Sequence, residues 1–316
     1  MVCFFPMNRA IFILIGCIIS GCAVAGDCYR IASYNVENFF DSTHDTLKND
    51  SAFLPDGPYR WHASRFYHKA QQIARVVSLM GEWDKAAVIG LCEVENAHCL
   101  AVLCRELRNY GYRFLHFEGP DRRGVDVALL YDLQRFRLID SAALRVDLGE
   151  ATTRDILYAA GVLPCGDTLH LYECHLPSMS GGQQASEWKR QAAKAVIRRH
   201  VDSLLQVRPK ALVAVMGDMN CRPTDDITGL TNRMIPLEKK GCGSHRYHGI
   251  WSCLDQIYLS PALDTISDVQ IFTHPVLLEE DRQYLDSKPR RTFQRFRYDK
   301  NGFSDHLPVY FDFCLP

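Results

Sequence analysis

Several common chemistries have no footing in this sequence of 316 residues. Its 13 cysteines include no Cys-x-x-Cys pair, which removes a zinc ribbon and a thioredoxin-like redox site. No serine or cysteine has an obvious partner for acyl transfer. Neither sign of charge dominates: 36 basic residues face 37 acidic ones, for a net charge of −1. That balance argues against a protein that coats nucleic acid nonspecifically, while leaving room for a local basic groove. Internal repeats, low-complexity tracts and long linkers are also missing.

The N-terminus is present in a recognisable form. Arg9, an apolar run from Ala10 to Ile19 and then small residues make the pattern of a secretory signal. The run is about ten residues, half the roughly 20 needed to span a bilayer, so it is not read as a transmembrane helix. Ala23-Val24-Ala25 resembles an ordinary cleavage site that would leave Gly26 first. Ile19-Ser20-Gly21-Cys22 resembles a bacterial lipobox, and Leu14-Ile15-Gly16-Cys17 a poorer one inside the apolar core; Met7 is an alternative start. The preferred reading is an exported bacterial lipoprotein with Cys22 lipidated, periplasmic or membrane-anchored, the anchor being its one link to a membrane. Residues 1–25 are read as signal, ending before Cys22 if that residue is lipidated, and 27–316, about 290 residues, suit one large domain or two small ones. Ten cysteines remain after the signal. Export permits disulfides; Cys28 and Cys314, at opposite ends, are a candidate staple, and many others sit in apolar runs as small buried side chains.

Short apolar runs ending in polar clusters recur along the chain. Strands are expected at Tyr29–Val36, Ala86–Leu91, Tyr112–Phe117, Val125–Tyr131, around 136–146 and 156–164, Thr168–Cys174, Ala211–Met216, Leu254–Leu259 and Val309–Phe313. Helical periods cover Ser64–Met80, Ala97–Asn109 and Ser186–Leu205, the last with Trp188, Ala192, Ala195, Val196 and Val201 on its apolar side. Strict βαβ alternation fails around 112–164. The chain therefore reads as an α/β or α+β fold with mixed sheets packed face to face and helices outside.

Six places share one context. Asn35, Glu93, His175, Asp218 with Asn220, Asp255, and Asp305 with His306 each stand at the end or start of an apolar strand run. Strands packed in register would bring them to one rim. Carboxylates and an amide oxygen suit Mg²⁺, Mn²⁺ or Ca²⁺ better than zinc, and two histidines add acid/base or charge-stabilising capacity near neutral pH.

The stretches SYNVENFF (33–40), GLCEVEN (90–96), CHLPSMSGG (174–182), GDMNCRP (217–223), LDQIYLS (254–260) and SDHLPV (304–309) resemble, in order, the motifs of the endonuclease/exonuclease/phosphatase (DNase I-like) superfamily. The resemblance spans residues 29–313. It implies a single domain folded as a four-layered α/β sandwich with the site at one rim, and hydrolysis of a phosphate ester with Mg²⁺ or Mn²⁺. It further implies that Asn35, Glu93 and Asp305 serve the metal and that Asp218 and Asn220 align water and phosphate. His306 becomes the catalytic histidine, oriented by Asp255, and His175 a second phosphate-facing histidine. A phosphodiester of DNA or RNA is the leading substrate. A phosphorylated metabolite or lipid head group acted on by a phosphatase or phospholipase-type enzyme is the alternative, and a catalytically silent binding module of the same fold the third. A monomer is expected.

Blander readings stand beside these. Asp218 and Asn220 alone could be turn residues after a buried strand, and Glu95 competes with Glu93 as ligand. Arg123 and Arg154 are candidate phosphate contacts, or else surface or ion-paired arginines. KPRRTFQRFRYDK (288–300) interleaves basic and aromatic residues as a nucleic-acid strand would require, but a solvated loop is the preferred reading. His44, His62, His68, His98, His245 and His248 fit no motif and are read as structural or exposed.

Overall fold

The computed structural model of the chain describes residues 27–81, 85–179 and 182–315. The signal features, Arg9, Cys22 and Ala23-Val24-Ala25 among them, lie outside the described residues, as do Ser180 and Gly181 of the third motif.

Two six-stranded sheets carry the fold. The first is built on strands β1 (Asp27–Phe39), β2 (Val88–Val94), β3 (Tyr112–His116) and β4 (Asp126–Asp132), completed by Ser267–Ile271 and Val309–Leu315. The second contains β5 (Arg137–Leu144), β6 (Ile156–Val162), β7 (Thr168–His175) and β8 (Leu212–Asp218), followed by Asp255–Leu259 and Thr231–Asn232. Each is mixed: β1 runs parallel to β2 and β7 parallel to β8, while the other pairings are antiparallel.

Period-two alternation builds three cores. On β1, Ile31 points between the sheets while Ala32 and Tyr34 point outward. On β7, Leu169 and Leu171 point between the sheets and Tyr172 outward. Both faces of each sheet are covered, which is why the strands read as continuous apolar runs. Helix α1 (Ala63–Met80) places Phe66, Ala70, Ile73, Val77 and Met80 on the outer face of the first sheet. Helix α2 (Ala97–Glu106) packs beside it, opened by Asn96, whose side chain accepts from the Cys99 amide at 3.0 Å. Helix α3 (Gln183–Val207) seats Ala193, Ile197 and Val201 on the second sheet. Helix, sheet, sheet, helix: the four-layered α/β sandwich is the observed architecture.

Two features depart from expectation. Trp188 is half exposed, because the buried stripe of α3 runs through Ala193 and Ile197 instead. The 288–300 stretch is not a simple loop. It contains the paired strands Phe293–Gln294 and Arg297–Tyr298, held by Phe293 and Tyr298 packing around Trp61. Cys28 and Cys314 form a disulfide, joining β1 to the C-terminal strand at facing register positions. Close approach between strands fixes one glycine near the rim: a Cβ on Gly217 would lie 2.0 Å from the Cys174 carbonyl oxygen, and its φ is +126°.

Candidate active site

All eight motif residues sit at the same rim, and each sheet supplies four. β1 and β2 deliver Asn35 and Glu93, and the loop before the C-terminal strand delivers Asp305 and His306. β7 ends on His175, β8 ends on Asp218 with Asn220 just beyond, and Asp255 opens the neighbouring strand opposite Asp218. Backbone conformation is unusual here. Glu37, Asn38, Glu93 and Asn220 all adopt positive φ, between +49° and +67°, the left-handed region that non-glycine residues avoid.

Asp218 is the hub. Its Oδ2 accepts from Asn35 Nδ2 at 3.0 Å and lies 3.6 Å from His175 Nε2 and 3.9 Å from His306 Nε2. Its Oδ1 accepts from the Asn220 amide at 2.9 Å, and Asn220 in turn donates to the Leu176 carbonyl at 3.0 Å. Burial, opposed by the His306 charge and reinforced by Asp255, lifts the Asp218 carboxyl to about 7. Such a group can exchange a proton near neutral pH.

The two histidines differ. Burial works against a charged His306, but Asp255, bonded to its Nδ1 at 2.7 Å, together with Asp218 and Asp305 raises its pKa well above the ordinary range. His175 is held well below the ordinary range by burial and by the Arg154 and Arg123 charges. The surroundings therefore favour the charged form of one imidazole and the neutral form of the other.

Glu93 accepts from the Asn38 amide at 2.8 Å through Oε2, while Oε1 lies 3.7 Å from the Arg123 guanidinium and 3.9 Å from His175 Nε2. That oxygen is free to take a ligand. Glu95 is engaged elsewhere, accepting from the Asp41 amide at 2.7 Å. Asn35 Oδ1 accepts from the Glu37 amide at 3.0 Å and keeps a second lone pair. Asp305 is bound by Arg291 at 2.8 Å and held below the ordinary carboxylate range: burial is outweighed by His306, Arg291 and His245. Among the described residues, ligand atoms of Asp218, Asp255 and His306, and of His245, Asp305 and His306, gather within 4.8 Å. The oxygen donors of Glu93, Asn35 and Asp305 fit a hard divalent cation.

Sequence reasoning missed three participants. His245 is not a bystander: it bridges to His306 through the backbone, with ring centroids 4.8 Å apart. Burial, then the His306 charge, lowers its pKa to about 4. Glu37, inside the first motif, is buried and raised to about 7 by burial and Asp305. Arg291 reaches both Asp305 and Glu37, the latter at 3.4 Å. Glu37 was findable from its motif; His245, 61 residues from His306, carried no local signal. Arg123 is half exposed beside Glu93, whereas Arg154 is buried, its Nε 3.5 Å from Asp121.

A family model described as Endonuclease/Exonuclease/phosphatase family matches residues 30–314. No curated protein matches in sequence. Among solved structures the chain is similar to TDP2 from Caenorhabditis elegans, with 17% identity over 92% of this chain and 75% of that one, and a TM-score of 0.59. The human nocturnin catalytic domain with bound sulfate gives 18% identity, 92% and 95% coverage and a TM-score of 0.57. A mannosyl-6-phosphatase from Bacteroides thetaiotaomicron gives 16%, 90% and 98%, and 0.54. At these identities the likeness is one of fold.

Proposed function

The chain belongs to the endonuclease/exonuclease/phosphatase family, whose members hydrolyse phosphate esters, and we propose on that premise that it does so with a divalent metal and the rim residues in named roles. The observation that carries this reading is the convergence on one buried carboxylate: Asp218 Oδ2 accepts from Asn35 at 3.0 Å and faces His175 and His306 at 3.6 and 3.9 Å, while Asp255 holds His306 Nδ1 at 2.7 Å. Asn35, Glu93 and Asp305 would hold Mg²⁺ or Mn²⁺, which when bound supplies positive charge to the phosphoryl oxygens. Asp218, fixed by Asn35 and the Asn220 amide, takes the proton from the attacking water. His306, kept charged and oriented by Asp255, faces the negative charge that builds on phosphorus. His175, neutral, donates a hydrogen bond without competing for the metal's anionic ligands.

The finer reading is a phosphodiesterase acting on DNA or RNA. One observation favours the second reading, a phosphatase or phospholipase-type enzyme on a small phosphorylated compound or lipid head group. Of the basic residues in 288–300, Lys288, Arg290 and Arg291 are engaged by Glu279, Asp299 and Asp305, which weakens that stretch as a nucleic-acid track. The purified protein, assayed with Mg²⁺ or Mn²⁺ and with chelator, separates them. Chelator-sensitive plasmid nicking supports the first, and phosphate release from monoesters without nicking supports the second. Turnover that persists in chelator would overturn the metal role. Export with lipid on Cys22 belongs to the same proposal; Cys22→Ser should move the protein from the membrane fraction to the soluble one.

A further inference from the structure

A cleft of about 780 Å³ opens beside His175, and nothing in the mechanism above uses it. Two arginines link it to the site. Arg123 lines the cleft while its guanidinium lies 3.7 Å from Glu93, and Arg154 lines it while acting electrostatically on His175. Its charge is lopsided: Arg122, Arg123, Arg154 and Lys189 face only two acids, Asp121 and Glu150. Asp121 stands 3.5 Å from the Arg154 guanidinium and 3.9 Å from that of Arg123, so it orients both without hydrogen-bonding either guanidinium, while its Oδ1 accepts from the Arg123 backbone amide at 3.0 Å.

Two donors in this wall are incompletely used. Arg154 is 7% exposed and Thr153 4% exposed, yet Arg154 Nε and Thr153 Oγ1 are buried without a hydrogen-bond partner. Leaving such groups without a hydrogen bond is unfavourable, a cost that an arriving acceptor removes. A planar guanidinium, a hydroxyl and a nearby ammonium on one wall match the oxygens of a tetrahedral oxyanion.

We propose that this cleft is a second phosphate subsite, so that the preferred substrate carries another phosphate on the His175 side of the scissile one. The inference rests on the hydrolase reading for which phosphate is cut, and on the cleft alone for what else is bound. The second phosphate could belong to a bisphosphorylated small molecule or to the neighbouring linkage of a nucleic acid.

The test compares matched pairs: a sugar monophosphate with the bisphosphate of the same sugar, and a p-nitrophenyl nucleotide diester with and without a second terminal phosphate. The pair that is turned over identifies the source. Within it, the doubly phosphorylated compound should show a kcat/KM higher by about tenfold to a hundredfold, the size expected for hydrogen bonds to a charged group. That ratio should collapse in Arg154→Gln and shrink in Thr153→Val and in Lys189→Gln, the last a half-exposed position that leaves the buried wall intact. A wild-type ratio near one, or a ratio unchanged in all three variants, would overturn the subsite. If no compound is turned over, the hydrolase reading fails by itself. Calorimetric binding of the bisphosphate that weakens in Lys189→Gln would then still support the cleft, and absence of binding would sink it.

Discussion

His306 and His175 face the same carboxylate, their Nε2 atoms 3.9 and 3.6 Å from Asp218 Oδ2. Both are buried, His175 at the end of β7 and His306 in the loop before the C-terminal strand. Yet His306 is flanked by Asp255, Asp218 and Asp305, and His175 by Arg154 and Arg123. Desolvation pushes each toward neutrality; only on the carboxylate side is it overcome. The charge that a buried imidazole favours is thus set by the neighbours the two sheets assemble: three carboxylates prevail around His306, while at His175 burial and the two arginines outweigh Asp218 and Glu93.

The largest effects should come around His306. Asp218→Ala or His306→Ala is expected to lower kcat by about a hundredfold or more while leaving thermal unfolding cooperative. Near-normal turnover in both would remove the proposed roles. Asp255→Asn tests the charge on His306 more finely. It keeps a hydrogen-bonding side chain but withdraws the charge, so the His306 pKa measured by NMR should fall and kcat drop by about tenfold to a hundredfold. An unmoved pKa would mean that Asp255 is not what charges the ring. At the other imidazole, His175→Gln retains a neutral donor and should cost about tenfold at most. A loss as large as that of His306→Ala would show that His175 works as a cation after all.

The smallest effect on turnover is expected beneath the site, where Glu173 sits between the sheets. It accepts from Ser33 Oγ at 2.7 Å, and a Cβ on Gly90 would lie 1.9 Å from its Oε2. Burial raises its carboxyl from an ordinary 4.5 to about 8. The folded protein therefore keeps a proton that the unfolded chain releases. This contribution to stability is complete below the unfolded value and is lost as pH rises through the folded one, at about 1.4 kcal/mol per pH unit in between. Urea unfolding from pH 4.5 to 8 should show a shallower decline in Glu173→Gln than in the parent. Equal slopes would mean that Glu173 is ionised in the folded state.

Much of this was legible beforehand. The strands around Asn35, Glu93, His175 and Asp218 were readable because each is buried on both faces, which leaves an uninterrupted apolar run ending in a polar cluster. Short strands such as Ser267–Ile271 and Thr231–Asn232 were not, because their pairing partners, rather than their own periodicity, define them. The 288–300 ribbon was hidden for the same reason: aromatic contacts with Trp61, more than two hundred residues away, hold it in place.

By itself the sequence determined the layered α/β class, the order of the motifs and the eight polar side chains at strand ends, since these follow from local hydrophobic period and residue type. Only the tertiary structure decided that His245 lies against His306, that Arg291 clamps Asp305, that Arg154 is buried with an Nε lacking a hydrogen bond, and that the pKa values of the two site histidines are shifted in opposite directions. Those properties depend on which charges become neighbours and how much water is excluded between them. They arise only when strands distant in sequence are brought edge to edge and the two sheets close face to face.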